Sequence, residues 1–65
     1  MNTDECHAEL HAAGWSTGDT AAKEGDSLDW MVYCHKGDSR FIARGPSRGQ
    51  AWTAAVKIAR ESEVQ

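Results

Sequence analysis

The sequence predicts an α+β fold: a two-layer αβββα sandwich, in which an antiparallel three-stranded sheet carries the C-terminal helix on one face. Two segments rich in strand-forming residues, 28–34 and 40–44, flank a Gly-Asp pair and predict a hairpin. The alanine-rich segment that follows, 47–61, opens with a helix-capping pattern and repeats its apolar residues every three or four positions. The main alternative is a βββα fold without the N-terminal helix.

The length of 65 residues predicts a single small domain, residues 1–65, because a chain this short supports only one core. Hydrophobic residues make up 40 % of the chain, including three Trp, one Tyr and one Phe, which indicates a folded protein. No apolar run is long enough to cross a bilayer, and the first residues are acidic where a secretory signal is basic and then apolar. We therefore expect a cytoplasmic protein with no membrane partner.

A first helix is predicted close to the N-terminus, capped by Thr3 or Asp4 and ended by Gly14. Its apolar residues follow one another at i, i+4 and i+7: Cys6, Leu10 and Ala13. Residues 15–27 contain one large apolar residue, Trp15, and show no sustained periodicity. This segment is predicted to be a polar hairpin or a mobile loop, with or without a short strand that begins at Trp15.

The hairpin has the same predicted register whether its turn contains two or four residues. One face pairs Cys34 with Phe41, Val32 with Ala43, and Trp30 with Gly45. The opposite face pairs His35 with Arg40, Tyr33 with Ile42, and Met31 with Arg44. Because the first set is the more apolar one, we expect it to face the core, with both arginines on the other side of the sheet.

The second helix is predicted to begin after Gly45-Pro46, with Ser47 as N-cap and Gln50 at the third helical position, and to run to about Glu61. Its predicted apolar face consists of Ala51, Ala54, Ala55, Ile58 and Ala59, flanked by Trp52 and Val56. The small alanine side chains should allow the helix to approach the sheet closely.

This C-terminal half resembles double-stranded RNA-binding domains, in which a hairpin leads to a Gly and then to a Ser-Lys-Lys-x-Ala-Lys motif that opens an alanine-rich helix. The residues that fall where this family has Ser and Ala are Ser47, Ala51, Ala54, Ala55 and Ala59. The resemblance implies the same fold and, through the lysines of the motif, contacts with phosphates. The hairpin and helix are also similar to small bacterial and phage proteins for which the resemblance implies no activity.

The sequence departs from that family at the positions that would bind phosphates. Arg48 keeps one of the three positive charges, but Gly49 and Trp52 replace the other two lysines. The loop between the first two strands, basic or Gly-Pro-His in the family, is here the acidic 24–27. Loss of these charges removes much of the counterion release that dominates nucleic-acid affinity.

Charge is distributed unevenly along the chain. Six of the seven Lys and Arg residues lie in the stretch 36–60, which contains a single acid, Asp38. The predicted partner-binding face, rich in arginine and aromatic or aliphatic residues, comprises Met31, Tyr33, His35, Arg40, Ile42, Arg44 and Arg48. We expect a protein partner or self-association. Binding of double-stranded RNA or DNA is the alternative, which the net charge of −3 and the pI of 5.4 disfavour.

No motif indicates catalysis, a cofactor or a metal, and the sequence predicts a non-enzymatic domain that needs none of them. The candidate zinc ligands Cys6, His7, His11, Cys34 and His35 lack the close ligand pairs of zinc-finger sites. On a strand, the adjacent Cys34 and His35 point to opposite faces. Both cysteines are expected to be thiols, with Cys34 buried and its pKa raised by that burial.

Overall fold

Residues 2–63 are described by the structure, a computed structural model, and they form two helices and three strands. In chain order the elements are α1 (Thr3–Ala12), β1 (Ser16–Glu24), β2 (Ser27–Lys36), β3 (Ser39–Gly45) and α2 (Arg48–Glu63). The strands form one antiparallel sheet in the order β1-β2-β3, and both helices pack on the same face of it. The αβββα prediction is therefore confirmed, and the alternative without the first helix is wrong.

The β2–β3 hairpin has the predicted register. All the predicted cross-strand pairs form, with Cys34 opposite Phe41 on one face and Tyr33 opposite Ile42 on the other. The turn consists of Gly37 and Asp38, and Gly37 has a φ of 59°, which suits the first central position of a tight hairpin turn.

The core lies between the helices and one face of the sheet. Its buried apolar residues are Cys6, Leu10, Trp15, Val32, Cys34, Ala43, Ala51, Trp52, Ala55, Val56 and Ala59. Trp30 and Phe41 are partly buried against them. The hairpin face predicted to point inward is therefore the face that the helices cover.

Helix α1 is capped by a residue other than those predicted. Asn2, rather than Thr3 or Asp4, is the N-cap, because the Glu5 amide donates to Asn2 Oδ1 over 2.8 Å. The Asn2 amide donates to the Glu5 carboxylate over 3.2 Å, which completes a capping box. At the other end, Gly14 adopts a φ of 93° directly after the last turn, as its role in ending the helix requires.

Strand β1 is the largest difference from the sequence prediction. Its nine residues pair with β2 along their whole length, so a loop interpretation of 15–27 is wrong. The strand is longer than the short one predicted and begins at Ser16, directly after the buried Trp15. A second Gly-Asp turn, with Gly25 at a φ of 59°, joins it to β2.

The buried face of α2 is rotated relative to the prediction. Trp52 and Val56, predicted to flank this face, are each only 3 % exposed, whereas Ile58 is partly buried. The reason is that α1 packs beside α2, with the His7 ring edge-on to the Trp52 ring at 5.7 Å. Ser47 caps α2 as predicted, because its Oγ accepts a hydrogen bond of 3.3 Å from the Gln50 amide.

Candidate functional site

The face of the sheet turned away from the helices is covered by no element of residues 2–63; we call it the outer face. Its central row crosses all three strands, with Gly18 opposite Tyr33 and Tyr33 opposite Ile42. Because Gly18 has no side chain, nothing from that position of β1 covers the tyrosine ring. Tyr33 is 42 % exposed and Ile42 is 51 % exposed. The middle of the outer face is therefore an apolar pair open to solvent.

Two cationic positions flank this pair. Arg40 lies opposite His35 on one side of the central row, and Arg44 lies opposite the half-buried Met31 on the other. Neither arginine forms an ion pair or a side-chain hydrogen bond with any residue of the described range 2–63. An open groove of about 570 Å³ lies beside Arg40, and its lining includes Tyr33 and Ile42.

The seventh residue predicted for this surface, Arg48, lies elsewhere. It is the first residue of α2, which packs on the inner face of the sheet. Its Nε donates to Asp19 Oδ2 over 2.6 Å. Six of the predicted site residues thus share the outer face, and Arg48 belongs to the helical layer with its charge already paired.

Asp19 is the residue that sequence reasoning missed. It lies on the inner face of β1, opposite Val32, and accepts hydrogen bonds from Arg48 and, over 3.1 Å, from Trp52 Nε1. These two donors, first Arg48 and then Trp52, lower the pKa of the Asp19 carboxyl. No local pattern identifies this contact, because its partners are about thirty residues away in the chain.

A second carboxylate pairs with the other end of α2. Arg60 donates from Nε and from one terminal nitrogen to the two carboxylate oxygens of Glu9, over 2.7 Å and 2.6 Å. This bidentate contact lowers the pKa of Glu9 and joins α2 to α1. Glu9 and Arg60 therefore form a surface contact between the two helices and take no part in the outer face.

The cysteine and histidine residues do not converge. Cys6 and Cys34 are free, buried thiols, and burial raises the pKa of Cys34 to about 11. The His7 and His11 rings lie 4.1 Å apart on α1, whereas His35 is on the outer face. Across residues 2–63, no group of three His, Cys, Asp or Glu residues is placed to hold a metal ion.

Neither helix, over the described residues, has the length and hydrophobicity needed to cross a membrane. Comparison of the chain with protein-family models, curated proteins and solved structures finds no match.

Proposed function

We propose that this chain is a small, non-enzymatic interaction domain that binds a partner protein through the outer face of its sheet. One observation carries the proposal: Tyr33 and Ile42 form an exposed apolar pair in the middle of an uncovered sheet face, between two arginines. Aromatic residues and arginine are enriched at the centres of protein interfaces, where they supply much of the binding energy.

The electrostatics of the outer face favour an acidic partner. Arg40 and Arg44 have no ion-pair partner among residues 2–63, so their charges are available to carboxylates of another protein. Salt screens such exposed charges with a Debye length of about 8 Å at physiological ionic strength. Binding should therefore weaken as salt rises, while the apolar pair maintains part of the affinity.

The same surface supports binding better than catalysis. The groove of about 570 Å³ beside Tyr33 is open to solvent rather than enclosed. The Cys34 thiol, which contributes to the lining of the groove, is only 2 % exposed, and burial raises its pKa to about 11, so it is protonated at neutral pH. A protonated, buried thiol is a weak nucleophile, and the Cys34 side chain packs in the hydrophobic core.

Binding of duplex RNA or DNA is a second candidate, favoured by two arginines that have no ion-pair partner within residues 2–63 and lie beside an exposed tyrosine. It is the weaker one for two reasons. Arg48, which keeps a charge of the RNA-binding motif, is held by Asp19 at 2.6 Å. The net charge of −3 also opposes the approach of a polyanion.

Affinity capture from cells of the source organism tests the proposal. Wild type is compared with the outer-face variant Tyr33→Ser/Ile42→Thr and with the control Leu28→Thr. Leu28 is also 51 % exposed but lies on the other side of the sheet, opposite Lys23. We expect quantitative mass spectrometry to show partners that the outer-face variant loses and the control retains. Equal recovery by all three proteins would contradict the proposal.

A titration with duplex RNA at low salt separates the two candidates. We expect weak binding by wild type, because the net charge is negative and two of its arginines, Arg48 and Arg60, are already paired with carboxylates. Tight binding that Arg40→Glu/Arg44→Glu abolishes would replace the protein-interaction proposal with the nucleic-acid one.

A further inference from the structure

Strand β3 is an edge of the sheet, and three of its seven residues turn their backbone groups away from its neighbour β2. In a hairpin with a two-residue turn, the residues that flank the turn, here Lys36 and Ser39, exchange hydrogen bonds, and every second pair after them does the same. The backbone groups of Arg40, Ile42 and Arg44 therefore point away from β2. Within residues 2–63 they make no backbone hydrogen bond outside the sheet.

The side chains of the same three residues lie on the outer face. Arg40, Ile42 and Arg44 pair with the outer-face residues of β2, and all three are exposed. Helix α2 packs against the inner face of β3 and leaves its outer face open. The free backbone groups and the cationic and apolar side chains thus belong to one continuous site along the edge.

We propose that an extended segment of an acidic partner protein binds here as an added antiparallel strand, with an apolar residue beside Ile42 and carboxylates beside Arg40 and Arg44. This inference rests on the proposed function and specifies the partner of that site. Strand addition provides backbone hydrogen bonds to the free N–H and C=O groups. Because side chains alternate along a strand, an acid-x-apolar-x-acid pattern places all three complementary groups on the outer face.

A second copy of this chain is a poor occupant of the site. Two β3 strands paired over their full length, antiparallel and centred on Ile42, would place Arg40 of each copy opposite Arg44 of the other. Like charges directly opposite one another destabilise a strand pair. The arginines therefore disfavour self-pairing at the same edge where they favour carboxylates.

The other edge of the sheet serves as an internal control. By the same hydrogen-bond alternation from its Gly-Asp turn, the outward backbone groups of β1 belong to Thr17, Asp19, Ala21 and Lys23. Their side chains lie on the inner face, where the Asp19 carboxylate is paired with Arg48. This edge lacks the unpaired arginines, so an acidic strand should leave it unaffected.

Amide hydrogen exchange of the ¹⁵N-labelled protein tests the inference. The probe is the acetylated and amidated peptide Thr-Glu-Thr-Val-Thr-Glu-Thr, and the matched control has Lys in place of both Glu. At a peptide concentration about ten times Kd, exchange at Arg40, Ile42 and Arg44 should slow about tenfold. Exchange at Thr17 and Ala21 should not change. The lysine peptide should not bind, and Arg40→Gln/Arg44→Gln should raise the Kd about tenfold or more.

Three results would overturn the inference. In the first, the Tyr33 side-chain signals shift when the peptide is added, but the amides of Arg40, Ile42 and Arg44 are not protected. The partner then docks on the outer face rather than along the β3 edge. The proposed function would still stand. The second is equal binding of the glutamate and lysine peptides, which contradicts the acidic partner. The third is failure of the glutamate peptide to bind at millimolar concentration. The capture experiment with the Tyr33 and Ile42 variant judges the proposed function independently of all three.

Discussion

At the residue scale, Asp19 neutralises the positive charge at the start of α2. Its carboxylate binds both Arg48 and Trp52, so the start of α2 presents a neutralised pair rather than an open cation. Arg40 and Arg44, by contrast, lie on the outer face and have no ion-pair partner among residues 2–63. The charge of Arg48 is thus less available to an anionic partner than the charges of the two outer-face arginines.

The burial of single residues predicts how truncations affect stability. Leu10 is 1 % exposed and among the largest fully buried side chains, so Leu10→Ala should lower the free energy of unfolding by about 2–5 kcal/mol. That is a large part of the ~5 kcal/mol expected for a small domain. Ile58 is only partly buried, and Ile58→Ala should cost about 1 kcal/mol. Urea denaturation measures both. An equal loss for the two variants would contradict the packing described for α1.

At the scale of elements, the junction of β3 and α2 depends on a glycine. A Cβ on Gly45 would lie 2.7 Å from the Ala51 backbone nitrogen, so Gly45→Ala should destabilise the domain by about 1–3 kcal/mol. A Cβ on Gly49, inside α2, would meet no neighbouring element within 4 Å, and Gly49→Ala should stabilise by up to about 1 kcal/mol. Thermal melts should therefore shift in opposite directions. A Gly45→Ala protein that melts at or above the wild-type temperature would mean that the helix does not approach the strand this closely.

The elements differ in how well sequence predicts them. The β2–β3 hairpin and α2 were predictable because apolar residues alternate in one and recur every three or four positions in the other. Strand β1 was predicted as the third strand of the sheet, but its length was not, because an exposed edge strand of small and polar residues carries no apolar alternation. Its signal was the dipeptide Gly25-Asp26, which repeats the Gly37-Asp38 turn one strand length earlier.

The residues of the candidate site also differ in how well the sequence predicts their positions. Strand parity alone places Tyr33, Ile42, Arg40 and Arg44 on one face, and the structure has them there. Predicting the position of Arg48 required knowledge of which sheet face the helices cover, since Arg48 lies on a helix of the other layer. Its pairing with Asp19 depends on the tertiary packing of β1 against α2, which no local spacing encodes.

At the scale of the whole molecule, folding brings together charges that are separate in the sequence. The acids of the N-terminal half and the cations of the C-terminal half meet at both ends of α2, as Asp19 with Arg48 and Glu9 with Arg60. The separation of positive and negative charge along the sequence is therefore partly neutralised by ion pairs in the folded structure. Arg40 and Arg44 are not neutralised in this way, because β3 presents them on the sheet face opposite to the helices.

These contacts make stability depend on pH. The pKa of Asp19 is lowered from 3.8 by folding, so its ionised form stabilises the folded state above that value, and this contribution is lost as pH falls through the lower, folded-state pKa. Asp19→Asn should reduce the free energy of unfolding at pH 7 by about 1 kcal/mol, because the ion pair is partly solvated. It should also flatten the decline of stability below about pH 5. Asp29→Asn is the control, since Asp29 is exposed and makes no ion pair or side-chain hydrogen bond within residues 2–63. Urea denaturation from pH 7 to pH 3 measures the effect, and identical pH profiles for the two variants would show that Asp19 is not the carboxylate that links β1 to α2.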